Sequence, residues 1–419
     1  MSSRLVPVRE GPLEATIRPP GSKSLTIRSL FAAGLAEGTS HLGDPSDSGD
    51  TQAARGALRS LGVGIREGDG NWTVEGTGGA LVPSPAPIDV GESGLTARSL
   101  IALGALVPGP THIVGHGRLP QRPMSGLVEA LAALGVTVRS DQGGLPLVVE
   151  GSGSLRGGYV RVPAQDTTQF ATALLLVAPL ATEPLTIALD GLHGSTGYLD
   201  LTLSVMTSFG ALVERSGQEF HVGCTGYRAV DLEVEPDASA AVYPLVAAAI
   251  QGGSLTINGL GASSRQPDLQ IARVLTAMGC RVTLELESTT IDSSGGPLEP
   301  IEIDLSEMPD GALAVAVACL FAHGESRLDG LGSLRHKESD RLQALADQLR
   351  NVGGEARLEG DSLVIVPGDL HPATVDTYGD HRIAMAFSLV GLAQPGIEIE
   401  GPEVVDKTWP GFWDMLDSL

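Results

Sequence analysis

Lysine is nearly absent: Lys23, Lys337 and Lys407 are the only three in 419 residues, and the other 24 of the 27 basic residues are arginine. With 50 acidic residues the formal charge is −23, so a broad basic face is lacking and nucleic acid or an anionic membrane is excluded as partner. Cysteine is also scarce. Cys224, Cys280 and Cys319 are odd in number and show no CxxC or Cys/His spacing, which excludes a disulfide framework and a zinc site and suits reduced thiols in a cytoplasmic protein. Aromatic residues are 4% of the chain, so the core has to be built from Ala, Leu, Val and Ile. The longest apolar stretches, around Phe170 to Ala181 and Ala312 to Ala322, are too short to span a bilayer, and the opening MSSRLVPVREGPLEA lacks the apolar core of a secretory signal.

What is present is a repeat. Short β-rich segments ending in glycine recur at Gly43, Gly115, Gly191, Gly259, Gly330 and Gly401, about every 70 residues. After each of the first five comes a helical pattern closing on Gly62, Gly135, Gly210, Gly279 or Gly353, glycines suited to the position just past a helix C-terminus. A second, Ala- and Leu-rich helix follows at Leu95–Ala105, Gln169–Ala178, Ala240–Ile250, Ala312–Phe321 and Ile383–Ala393. Six such α/β units exceed what one core supports, so two domains of three units are expected. The pattern restarts near Arg228. The opening strand, Leu13 to Arg18, is expected to complete the sixth unit, which places residues 20–228 in one domain and 1–19 with 229–419 in the other, joined by a two-strand hinge.

The lysines stand beside turn and capping residues that predict helix starts. PPGSKSLTIRSL (from Pro19) puts Lys23, Ser24 and Arg28 on nearly one face of such a start, where free backbone N–H groups favour an anion; a well-capped surface helix is the plainer account. GESGLTARS (from Gly91) adds Gly94 and Arg98, a weak signal that also suits a simple turn. In GRLPQRPMSGLVEAL (from Gly117) a proline turn carries Arg118 and Arg122, which suits bidentate carboxylate or phosphate contacts as well as it suits a solvated pair. Thr167, Thr168 and Gln169 open another helix, as do Ser195 and Tyr198. LRHKESDRLQAL places Lys337, Glu338 and Arg341 at spacings that share a helix face, the usual mark of a solvated ladder. Asp310 precedes a buried helix and needs no role beyond capping it. Asp380, His381 and Arg382 begin another, with the His–Arg pair set against the helix dipole, and Lys407 precedes the last. Converging in a cleft between the domains, these cations would hold a ligand or ligands with several negative charges.

PPGSKSLTIR, GRLPQRPMSGLVEAL, QDTTQFATALLLVAPLA, SLTINGLG, HKESDRL, GDHRIAMAFSLV and DKTWPGFW, in order from Pro19 to the C-terminus, together resemble the 5-enolpyruvylshikimate-3-phosphate synthase family of enolpyruvyl transferases. The resemblance implies two similar domains of three βαβαββ units each, an inverted α/β barrel. It implies transfer of the carboxyvinyl group of phosphoenolpyruvate to the 5-hydroxyl of shikimate 3-phosphate without metal or organic cofactor; a cytoplasmic monomer is the expectation. By the same resemblance Lys23, Ser24, Arg28, Thr167, Thr168, Gln169, Ser195, Tyr198, Ser333 and Lys337 hold shikimate 3-phosphate. Lys23, Gly94, Arg122, Gln169, Arg341, His381, Arg382 and Lys407 hold phosphoenolpyruvate. Asp310, which also contacts the acceptor, is the base for the 5-hydroxyl, Glu338 exchanges a proton with the methylene carbon, and Lys23 assists.

The chain departs from the family in places. Glu92 and Leu95 replace the usual Asn and Thr of the glycine turn, and a carboxylate there repels phosphoenolpyruvate unless it turns away or pairs with Arg98 or Arg122; such a turn is compatible with reduced glyphosate sensitivity, which the sequence does not decide. Thr167 and Thr168 replace serines, and Ser333 an asparagine. The related transfer to a UDP-sugar is the nearest competitor, although its loop typically includes a reactive Cys that GHGRLPQRP lacks. A non-catalytic protein binding an anionic metabolite is the other.

Overall fold

Alanine and leucine fill the inner helices, and side chains that small let helices bury all their faces at once. The computed structural model describes residues 2–141, 143–165, 167–192 and 196–419. The chain divides into two units, one of Gly21–Val234 and one of Met1–Pro20 with Glu235–Leu419. Each has its own hydrophobic core.

The Gly21–Val234 unit contains α1 (Lys23–Leu35), α2 (Gly49–Ser60), α3 (Gly94–Leu103), α4 (Ser125–Ala133), α5 (Gln169–Val177) and α6 (Gly197–Ser208). Helices α1, α3 and α5 are buried over most of their length and touch one another. Three four-stranded sheets accompany them, each a parallel pair extended by two antiparallel strands. Parallel strands need a long crossover, and α3 supplies it between Ile88–Asp89 and Pro108–Val114, as α5 does between Gly158–Pro163 and Leu185–Asp190. The strand beside Thr39–Gly43 comes instead from the far end of the unit, Asp231–Glu233.

The second unit repeats the plan with α7 (Ala238–Gln251), α8 (Ile271–Ala277), α9 (Ala312–Ala318), α10 (Arg341–Asn351), α11 (His381–Ala393) and α12 (Phe412–Ser418). Its inner helices are α7, α9 and α11. Strand Leu13–Ile17 runs parallel to Gly253–Asn258, so the opening strand joins the sheet of the fourth repeat and not the sixth. Ser3–Leu5 takes the edge of the sixth, against Ile397–Glu400. Residues 229–234 belong with Gly21–Val234 because Asp231–Glu233 is bonded into that unit's first sheet. Among the described residues every sheet is open, with two to four strands in linear order.

The glycines at positions 62, 135, 210, 279 and 353 have φ of 94°, 83°, 83°, 92° and 108°, the left-handed backbone that ends α2, α4, α6, α8 and α10. Among the described residues no helix is long and apolar enough to cross a membrane.

Candidate active site

In the Gly21–Val234 unit, Lys23 is the first residue of α1, whose N-cap Ser22 accepts from the Leu25 N–H at 3.4 Å. A cation there opposes the helix dipole, and Asp50, in the first turn of α2, meets its ammonium at 3.0 Å. Arg28 lies one turn further on and is 2% exposed. Its Nε donates to the Thr202 hydroxyl at 2.8 Å, and its amino groups donate to the carbonyl oxygens of Ser24 at 2.9 Å and Tyr198 at 3.3 Å. Every one of these acceptors is neutral. Burial therefore pushes the Arg28 guanidinium down to about 10, with Tyr198 acting in the opposite direction, and its charge stays poorly compensated. The Tyr198 ring lies 5.9 Å from the guanidinium carbon.

Gly94 opens α3, and a Cβ built on it would lie 2.8 Å from an amino group of Arg122 and 2.8 Å from one of Arg98. Two guanidinium groups thus share the face of one glycine. Arg118, the other arginine of that loop, is exposed. Thr168 is the N-cap of α5 but its hydroxyl makes no capping bond, whereas the Thr167 hydroxyl accepts from the Gln169 N–H at 3.2 Å. The Glu92 side chain is exposed and lies over Gly117, and Leu95 packs against the core. Ser195 lies outside the described residues.

In the second unit the cations are held by carboxylates. Arg341, the first residue of α10, is 1% exposed and donates to Asp380 through Nε at 2.7 Å and through an amino group at 3.1 Å. It reaches Asp310 at 2.9 Å and Glu338 at 2.9 Å. Burial works to lower its pKa, but Asp380, Glu338 and Asp310 overcome that and leave it raised. Asp310 also accepts from Arg382 at 3.0 Å and meets Lys337 at 3.5 Å, while Glu338 meets Lys407 at 3.5 Å. Asp380 caps α11 by accepting from the Arg382 N–H at 3.0 Å, which explains how a His–Arg pair is tolerated at that helix start. His381, buried beside it, has Nδ1 3.6 Å from the same carboxylate. Tyr243 of α7 accepts from Arg382 at 3.4 Å, and burial pushes its phenol up to about 12.

Several sequence expectations change. The cap of α9 is Gly311, so Asp310 is released from capping and spends its carboxylate on three cations. Lys337 and Glu338 precede α10 instead of forming its first turns: Lys337 follows the 3₁₀ turn Gly332–His336, which also carries half-buried Ser333. Lys407 ends another 3₁₀ turn, Pro402–Lys407. Only Lys23 begins an α-helix. The sequence reading missed Asp50 and Thr202 and undervalued Arg98; no local pattern marks them, because the contacts that single them out, to Lys23, to Arg28 and to Pro123 and Gln169, span 27, 174, 25 and 71 residues. Among the described residues no group of three or more His, Cys, Asp or Glu side chains is placed to hold a metal ion.

The chain is 39% identical over 427 residues to a 3-phosphoshikimate 1-carboxyvinyltransferase of Photobacterium profundum, covering 100% of this chain and 99% of the other. It is 38% identical to one of Methanoculleus marisnigri, covering 97% of each. Its structure resembles the EPSP synthase of Acinetobacter baumannii with a TM-score of 0.84 at 25% identity, covering 99% of this chain and 97% of that one. Residues 8–416 match the model of the EPSP synthase family, and with a match over almost its whole length the chain belongs to the EPSP synthase (3-phosphoshikimate 1-carboxyvinyltransferase) family.

Proposed function

We propose that the protein transfers the carboxyvinyl group of phosphoenolpyruvate to the 5-hydroxyl of shikimate 3-phosphate and releases phosphate. Addition takes a proton from the hydroxyl and delivers one to the methylene carbon, giving a tetrahedral intermediate; elimination removes a proton from that carbon and expels phosphate. The observation that carries this reading is Asp310, a partly exposed carboxylate turned away from helix capping and gripped by Arg341, Arg382 and Lys337. An acceptor-only carboxylate so oriented suits a base for the hydroxyl. Glu338, between Arg341 and Lys407, suits proton exchange at the methylene carbon.

Lys23, Ser24, Arg28, Thr167, Thr168, Gln169, Ser195, Tyr198, Ser333 and Lys337 are assigned to shikimate 3-phosphate. Arg28 supports this most directly, since a buried cation among neutral oxygens gains from an added anion. Lys23, Gly94, Arg122, Gln169, Arg341, His381, Arg382 and Lys407 are assigned to phosphoenolpyruvate, whose carboxylate and phosphate suit guanidinium forks. Lysine can deliver a proton as well as charge; arginine supplies charge and geometry. Three free cysteines suit a reducing, cytoplasmic setting.

The test is phosphate release by the purified protein. Release that requires both substrates is expected, and none from folded protein contradicts the reading. Turnover of UDP-N-acetylglucosamine in place of the shikimate ester favours the UDP-sugar transfer, and binding of shikimate 3-phosphate without turnover favours a metabolite-binding role.

A further inference from the structure

Arg98 belongs to neither substrate set above, yet three segments distant in sequence meet on it. It stands in the second turn of α3 and is 2% exposed. One amino group donates to the Gln169 side-chain oxygen at 2.7 Å and to the Gly94 carbonyl at 3.3 Å, and the other donates to the Pro123 carbonyl at 3.0 Å. The guanidinium carbon is 5.4 Å from the centre of the Phe170 ring. Gly94, the neighbour of Pro123 (Arg122), and Gln169 are the three residues on these segments assigned to phosphoenolpyruvate. One planar fork with donors in fixed directions therefore sets their mutual spacing, a task that a single ammonium, with its charge at a point, does not reproduce.

A residue that only braced the core would have no reason to select these partners. The Gln169 oxygen bonded by Arg98 fixes which way that amide faces, leaving its NH₂ end to a ligand. The Pro123 carbonyl fixes the end of the arginine loop, and the Arg98 and Arg122 amino groups approach the same glycine from its side-chain face, each 2.8 Å from a Cβ built there. Any side chain larger than hydrogen at Gly94 would push them apart.

We propose that Arg98 is a positioning residue for phosphoenolpyruvate, acting through Arg122, Gly94 and Gln169 without itself contacting substrate. The proposal rests on the reading of function above. Arg98→Lys keeps the charge and loses the fork. In folded Arg98→Lys the KM for phosphoenolpyruvate is expected to rise about tenfold or more, the equivalent of one lost hydrogen bond to a charged group, while shikimate 3-phosphate, which shares only Gln169 among these partners, weakens by less in calorimetry. In Arg98→Ala, added methylguanidinium is expected to lower the raised KM again, a response that a merely structural defect would not give.

A KM for phosphoenolpyruvate within about twofold of wild type in folded Arg98→Lys overturns the proposal, as do equal losses for both substrates or Arg98→Ala that methylguanidinium leaves unchanged. If Arg98→Lys does not fold, the methylguanidinium response of Arg98→Ala decides, and failure of both variants to fold assigns Arg98 to the core and overturns it too. Wild-type protein without turnover removes the functional reading beneath it; wild-type turnover with an unmoved KM removes this inference alone.

Discussion

Arg28 and Arg341 are equally hidden, 2% and 1% exposed, and live in opposite surroundings. Arg28, in the Gly21–Val234 unit, is held by a hydroxyl and two carbonyl oxygens, and its pKa falls to about 10. Arg341, in the other unit, is forked onto Asp380 and reaches Glu338 and Asp310 as well, and its pKa rises. A buried cation among neutral oxygens costs the fold free energy that an arriving anion returns. A buried cation already surrounded by carboxylates has most of its charge matched within the protein, so an arriving anion returns less. Under the proposed function, Arg28 offers shikimate 3-phosphate a charge that the protein leaves unmatched, whereas Arg341 meets phosphoenolpyruvate with its charge already shared among the carboxylates proposed to move protons.

The sharpest way to break this division is Asp310→Asn, which keeps the side chain's shape and removes the carboxylate proposed as the base. Turnover is expected to fall by about 10³-fold, within the usual range for a lost general base, while calorimetry finds shikimate 3-phosphate binding within about threefold of wild type. Equal losses of rate and affinity would make Asp310 a binding residue instead. Next is Asp380→Asn. Removing one partner of a buried ion pair costs about 3–5 kcal/mol, and Arg341 retains Glu338 and Asp310, so a loss near the lower end is expected. Thermal unfolding should show a drop in Tm on the order of 10 °C, and an unchanged Tm would mean that Asp380 is dispensable to the scaffold. The smallest effect is expected at Glu92, which is exposed over Gly117: Glu92→Gln should change the KM for phosphoenolpyruvate by no more than about threefold, because exposed charges contribute little. A larger fall in KM would mean that Glu92 repels the substrate after all.

These contrasts also mark where the sequence was legible. The repeat, the inner helices and the glycines that end the outer ones depend on composition and local backbone, and they appear where the pattern places them. Lys23, Arg28 and the His381–Arg382 helix start were likewise readable from capping chemistry. The family resemblance alone singled out Asp310, and no local pattern showed the partners of either Asp310 or Arg98. The partners of Asp310 are Lys337, Arg341 and Arg382, 27, 31 and 72 residues away, so a pattern of neighbours shows only a cap where the fold makes a three-cation grip. Arg98 likewise looks like one more residue of a turn until crossovers bring Pro123 and Gln169 to it. The opening strand was correctly drawn toward the second unit but to the wrong repeat, since two short strands, Ser3–Leu5 and Leu13–Ile17, compete for that description and only pairing tells them apart.

The contrast itself is tested by removing each arginine's charge while keeping most of its length. Arg341→Met strands Asp380 in the core and should lose about 3–5 kcal/mol of stability. In Arg28→Met the lost hydrogen bonds are offset by the lost desolvation cost, so the ligand-free protein should melt within about 3 °C of wild type, a shift near 1 kcal/mol. The deciding measurement is calorimetric titration of shikimate 3-phosphate into Arg28→Met alongside its melting curve. The account predicts affinity reduced by about 10-fold to 100-fold with the Tm nearly unchanged, and undiminished affinity or a Tm loss as large as that of Arg341→Met would contradict it.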